Sequence, residues 1–498
     1  MNVNPITRLD YPDPDVIRVE DTYYMVSTTM HFMPGCEILQ SFDLVHWEHV
    51  TYVYETLDHT DAQQLKSGQN IYGQGMWAAS LRYHEGRFYI CFVANDTRKT
   101  YLYTSEKIDG PWKKQLIEGF YHDGSLLFDE DGRNYIVYGN DEIWITELNE
   151  DLTAPKKDGL HRLLVSDHKN PELGYEGSHI QKINGYYYIF LIHSLRDRWM
   201  RTEACFCSDS LEGEFTGGDV LCDDRGYCGQ GVAQGGIVDT PDGKWYAMLF
   251  QDSGAVGRIP ILLPVTWKDH FPFFGQNGHV PEEIEVHSTR PGYIYQPLVG
   301  SDDFCNGLLP RWQFNHDPDP RYYHLDALQG TYTITTREVC TELTQAVNTL
   351  TQRMSYPSCA AEVTVDASAL KEGDVAGLCA LQGCYAAVGI TKHHGKYEVL
   401  MLDKKEDGIL DMTEGTVVES HQMDFRLEAD FCNMKDEARC YYRVNKGDWL
   451  PIGTVHKLYF KLDHFTGCRF GLFCYAAEET GGSACFRDFK YYDVDEIS

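Results

Sequence analysis

Three carboxylates recur at one phase of a repeated sequence pattern, and such a set can do acid–base chemistry. Asp13 stands in LDYPDPDVIRV, Asp123 in HDGSLLF and Glu176 in YEGSHI. One carboxylic acid can protonate a leaving oxygen while a second carboxylate activates water or attacks directly, which is how a glycosidic bond is cleaved. The two must differ in protonation. Crowding several carboxylates in a partly desolvated channel separates their pKa values, because like charges resist ionising together, and a third carboxylate can orient the acid and keep its pKa raised.

The phase comes from five matching segments, EDTYYMV, HEGRFYICF, EDGRNYIVY, INGYYYIFL and PDGKWYAML, whose shared aromatic is Tyr24, Tyr89, Tyr135, Tyr188 and Tyr246. Twelve residues ahead of the last four stand Trp77, Asp123, Glu176 and Gln234, and eleven ahead of the first stands Asp13. Taken singly, an Asp at a strand entrance reads as a turn or capping group and a Trp as core. Capping groups have no reason to recur at one repeat phase, so the shared register is the argument for function. Asp15, two residues after Asp13, falls outside the phase and reads as a structural turn residue. Trp77 offers a flat face for a sugar ring, and Gln234 and Arg258 offer donors for hydroxyls.

Positioning these residues requires a ring of like units. Each repeated segment follows a short apolar strand (DVIRV, ASLRY, SLLF, HIQKI, GIVDT) across a turn, of acidic-Gly or Asn-Gly type in four of the five. Several short strands per unit, with the aligned tyrosines 46 to 65 residues apart, predict a β-propeller, here of five blades, whose innermost strands line a channel and present equivalent residues at one mouth. The propeller is expected over 1–295. HSTRPGYIYQPLVGSDDF reads as a linker, and short alternating strands such as AAEVTVDA, YEVLMLD and FGLFCYA predict a β-sandwich over 303–498. The fold class is therefore all-β.

A length of 498 residues fits two domains, and 33 Tyr with 44 Gly lean toward strands. The formal charge of −32 argues against nucleic acid or an acidic membrane as partner. The 16 cysteines show no CxxC pair or zinc spacing and read as mostly buried thiols. The N-terminus lacks a basic start with an apolar h-region, so a cytoplasmic protein is expected.

YPDPDVIRV, MWAASLRY, HDGSLLFDEDG, YEGSHI and VGRIPILLPVTW together resemble glycoside hydrolase family 43, and residues 303–498 resemble the concanavalin-like jelly-roll domain of its xylosidase-type members. The resemblance implies an inverting hydrolase with Asp13 as general base, Glu176 as general acid and Asp123 tuning and orienting that acid. It also implies Arg258 in the reacting subsite, with Trp77 and the loop Met30, His31, Phe32 as walls. Its C-terminal domain implies exo action, releasing β-D-xylose or α-L-arabinofuranose from the non-reducing ends of xylan-derived oligosaccharides. An endo-arabinanase and a non-catalytic, carbohydrate- or partner-binding propeller are the alternatives. A His that many relatives carry is Gln234 here. No cofactor is therefore expected to be required, a channel calcium ion is in doubt and the metal content stays unknown. The resemblance leaves a homo-oligomer open.

Overall fold

The computed structural model describes residues 2–493; Met1 and residues 494–498 of the expected domains lie outside them. Five four-stranded antiparallel sheets follow one another along the chain. Their inner strands are Asp15–Val19, Met76–His84, Ser125–Phe128, Glu176–Ile183 and Ala233–Asp239. These are blades one to five, and the expectation of a five-bladed propeller is met.

Strand alternation explains why the blades pack face to face. In the second strand of blade four, Tyr186–Ser194, Tyr187 and Ile189 join a core with Tyr135 and Ile145 of blade three, while Tyr188 and Phe190 face Ala247 and Leu249 of blade five. The ring closes in the same way, with Val16, Met25 and Leu39 of blade one packed against Val238, Met248 and Leu262 of blade five. Arg18 of blade one adds an ion pair to Asp239 of blade five at 2.5 Å.

Asp15 corrects one expectation. It is no turn residue but the first residue of the inner strand of blade one, 1% exposed. Its carboxylate accepts from the Leu81 backbone N–H (2.7 Å), Arg82 Nη1 (2.8 Å) and His179 Nδ1 (3.1 Å), tying blade one to blades two and four. Arg82 continues the bolt by donating to Leu126 O, Ser125 Oγ and Ile180 O.

The second region is a sandwich of a nine-stranded and a seven-stranded sheet around one large core containing Phe314, Leu378, Val388, Phe425, Phe470 and Phe486. The edge strand of the larger sheet is Phe32–Met33, a piece of blade one paired with Gln313–Asn315. The segment between the domains carries no strand, yet it is pinned to blade one. Arg290 binds Asp21, Tyr293 Oη donates to Glu48, and the Phe42 N–H donates to Tyr295 Oη. The cysteines are free thiols, mostly buried, with Cys222, Cys228, Cys305 and Cys432 exposed. Among the described residues no helix is long and apolar enough to cross a membrane.

Candidate active site

The register shared by the repeats becomes a shared place in the fold. Asp13, Trp77, Asp123, Glu176, Gln234 and Arg258 line one cavity of about 180 Å³. The local backbone explains how they point inward. Asp13 (φ 52°), Asp123 (φ 48°) and Gln234 (φ 58°) are non-glycine residues in the left-handed region. That conformation costs about 1–3 kcal/mol each and persists only where surroundings enforce it. The inner strands of blades two, four and five carry register shifts between Met76 and Ala79, Glu176 and His179, and Ala233 and Gly236. Such bulges re-aim side chains near sheet ends. Gly177 has φ 65° and no room for a Cβ, which would meet the Gln234 side chain at 2.6 Å.

Asp13 is 3% exposed and fully held: Oδ1 accepts from Arg258 Nη1 at 2.6 Å and Oδ2 from Thr28 Oγ1 at 2.5 Å. Arg258 donates from Nε to Asp252 Oδ1 at 3.2 Å, and Asp252 also takes a hydrogen bond from Arg201 Nη1. The Arg258 guanidinium lies between two rings, 3.7 Å from Phe465 and 4.5 Å from Phe250. Arg258, which the resemblance puts in the reacting subsite, is thus a buried lining residue of the cavity with two acidic partners.

A second cluster lines the same cavity. His122 Nε2 is 3.4 Å from Glu176 Oε2 and 3.5 Å from Asp123 Oδ2. Asn140 Nδ2 donates to Glu176 Oε2 at 2.8 Å, and the Gly177 N–H donates to Asp123 Oδ2 at 2.9 Å. Burial pushes the Asp123 carboxyl up to about 6, with the charges of Glu176 and Asp13 adding to it against the pull of His122. Burial works against the His122 imidazolium, but the charges of Asp123, Glu176 and Asp13 outweigh it and raise that group to about 9. Glu176 is also burdened by burial, yet the His122 hydrogen bond and charge, with Arg201 and Arg258, hold it below the ordinary Glu value. In this arrangement the His122 imidazole stands between the two carboxyls and favours a charged Glu176, while burial favours a protonated Asp123.

Trp77 forms a wall, its ring 5.1 Å from Phe465 and 6.1 Å from His122. His31 and Phe32 do not line the cavity. Both are buried in the seam between the domains, where His31 packs on Phe32, Tyr72, His316 and His464 and the Arg469 guanidinium sits 3.4 Å over Phe32. The reason is the pairing of Phe32–Met33 into the sandwich sheet, which turns this loop away from the channel. Met30 is buried behind the wall, and Thr466 Oγ1 lies 3.3 Å from its sulfur.

The remaining lining residues are His122, Leu173, Trp199, Arg201, Leu462 and Phe465. His122 had a signal, adjacency to Asp123. Leu462 and Phe465 belong to the sandwich and share no phase with the repeats. They sit on a loop held by Asp10, whose carboxylate accepts from the Gly467 N–H at 2.7 Å and the Arg258 N–H at 2.8 Å. Among the described residues, His122, Asp123 and Glu176 are the one group whose His and acidic donor atoms lie within 4.8 Å of one another. His122 Nε2 lies 3.4 Å from Glu176 Oε2 and 3.5 Å from Asp123 Oδ2, bridging the two carboxyls.

The cavity brings together the Asp13 carboxylate held by Arg258, the His122–Asp123–Glu176 cluster and the rings of Trp77 and Phe465, the last carried by the second domain. The sequence matches the family model described as glycosyl hydrolases family 43 over residues 3–272, and the model for the β-xylosidase C-terminal concanavalin A-like domain over 301–492. A β-xylosidase of Formosa agariphila is 26% identical, over 99% of this chain and 89% of that protein. A xylosidase/arabinosidase of Butyrivibrio fibrisolvens is 23% identical over 99% of each. Among solved structures, a bifunctional GH43-CE protein of Bacteroides eggerthii is 42% identical with a TM-score of 0.92. It covers 100% of this chain, which spans 64% of its length. A GH43 glycoside hydrolase engineered to show both endo-xylanase and exo-arabinofuranosidase activity gives 27% identity and a TM-score of 0.87, covering 99% of each chain.

Proposed function

Since the chain belongs to glycosyl hydrolase family 43 and is a glycoside hydrolase of its xylosidase/arabinosidase kind, we propose that it is exo-acting and removes one terminal pentose from xylan-derived oligosaccharides. The observation that carries this reading is that Leu462 and Phe465 of the sandwich help line the carboxylate pocket. At about 180 Å³ the pocket is smaller than the roughly 300 Å³ and more that drug-sized ligands occupy, which suits a single sugar ring. An endo-acting enzyme needs an open groove across the same face.

In the proposed mechanism Glu176 protonates the glycosidic oxygen while Asp13 takes a proton from the water that attacks the anomeric carbon on the opposite face. Arg258 and Thr28 fix the Asp13 carboxylate in place, and Asp123 orients the Glu176 side by anchoring the Gly177 N–H. Arg201, Gln234 and Trp77 face the sugar. Both halves of the reaction are served by side chains, so no metal cofactor is required.

The names of relatives, a β-xylosidase and an enzyme with exo-arabinofuranosidase activity, support both β-xyloside and arabinofuranoside as substrates. Parallel assays of nitrophenyl β-xyloside and nitrophenyl α-L-arabinofuranoside decide between them. Release from at least one is expected, with Asp13→Asn and Glu176→Gln each losing at least about 10²-fold. No release from either, or full activity in both variants, refutes the reading.

A further inference from the structure

His122 is the lining imidazole that neither the repeat phase nor the family resemblance assigned. It is half-buried, its ring lines the cavity beside Trp77, and its Nε2 sits between the carboxylates of Glu176 and Asp123 at 3.4 and 3.5 Å. A single N–H can be shared between those two oxygens but cannot fully serve both. Asn140 holds Glu176 Oε2 from the other side at 2.8 Å, so this oxygen stays within reach of the imidazole.

We propose that His122 is the proton partner of the general acid: its Nε2–H stores, between turnovers, the proton that Glu176 delivers to the glycosidic oxygen. This inference rests on the assignment of Glu176 as the acid.

The steps balance. The proton moves from His122 Nε2 to Glu176 Oε2, leaving a neutral imidazole. Glu176 passes it to the leaving oxygen as the bond from that oxygen to the anomeric carbon breaks. Asp13 takes a proton from the water whose oxygen bonds to that carbon. Glu176 ends as a carboxylate and Asp13 as an acid; Asp13 then loses its proton to solvent and His122 regains one.

The groups bearing on His122 are Asp123 on its own loop, Glu176 on blade four and Asp13 ahead of blade one. Arg201 and Arg258 act on Glu176 from behind. With the proton stored on the imidazole, the pair keeps its catalytic proton until the pH passes through about 9. An isolated carboxylic acid loses it far earlier, the ordinary Glu value being about 4.3. The apparent value belongs to the pair, not to either residue.

The test is the pH dependence of kcat/KM for wild type, His122→Phe and His122→Gln on whichever pentoside the wild type cleaves. The basic limb is expected near pH 9 in the wild type and at least about two units lower in both variants. At pH 8 the variants lose more on an oligosaccharide, whose leaving group needs a proton, than on a dinitrophenyl glycoside, whose leaving group does not. An unmoved basic limb, or equal losses on the two substrates, overturns the inference while leaving Glu176 as the acid. A second reading needs no turnover: 15N-imidazole spectra of the wild type and Glu176→Gln. His122 is expected to stay protonated through pH 8 and to titrate at least about one unit lower in Glu176→Gln. Identical titrations in the two proteins overturn the proton pair even if the protein cleaves neither pentoside, an outcome that separately refutes the proposed function.

Discussion

The Phe465 ring, carried by the sandwich, lies 3.7 Å from the guanidinium carbon of Arg258, carried by blade five. The same arginine holds Asp13. The second domain therefore completes the catalytic wall. A desolvated cation–π contact is worth about 1–2 kcal/mol, so Phe465→Ala is expected to lower kcat/KM roughly 5- to 30-fold, with Phe465→Tyr recovering most of it. Steady-state kinetics check this; an unchanged kcat/KM in Phe465→Ala means the ring does not hold the arginine.

Asp15 carries a pH-dependent part of the stability. Burial opposes its charge, but Arg82 and His179, helped by the Leu81 N–H, hold its pKa below the ordinary Asp value. A depressed folded-state pKa gives stability that is present above the unfolded value of about 3.9 and is lost as pH falls through the folded value. Asp15→Asn is expected to lower stability by about 3–5 kcal/mol at pH 7, since it removes the carboxylate that pairs with Arg82, whose side chain is 13% exposed. The gap to wild type shrinks below about pH 4. Denaturant unfolding across pH measures it, and a pH-independent gap contradicts the ionic role.

Glu203 gives the opposite sign. It is 0% exposed, and burial raises its pKa well above the ordinary value, with only the Gln234 N–H opposing at 2.7 Å. A raised folded-state pKa means the wild type loses stability as pH rises from the unfolded value toward the folded one. Glu203→Gln never ionises and its amide oxygen can still accept from Gln234. The variant is expected to gain on wild type by up to about 1.4 kcal/mol per pH unit above about pH 4.3. A variant that loses ground over that range shows Glu203 to be charged in the fold.

These cases show where the sequence was readable. The blades were legible because strand alternation and tight turns are local, and five aligned tyrosines expose the period. The repeat phase carried Asp13, Trp77, Asp123, Glu176 and Gln234 to one cavity because equal phase in a propeller is equal height at one mouth. What depended on pairing across strands was not legible. Asp252 meets Arg258 only because the two are register partners in a hairpin. Phe465 reaches Asp13's arginine from more than 200 residues away. His31 and Phe32 left the site when their loop was recruited as a sandwich strand, a tertiary event with no local signal. The place of His122 in the cluster was not legible because, though adjacent to Asp123 in sequence, it meets Glu176 only through a contact with blade four.

The central claim is that Asp13 and Glu176 act from opposite sides of a single terminal pentose. Time-resolved 1H NMR of the first sugar released from the cleaved nitrophenyl pentoside tests it most directly. The account predicts a free pentose whose anomeric configuration is inverted relative to the substrate before mutarotation. First appearance of the retained anomer contradicts it.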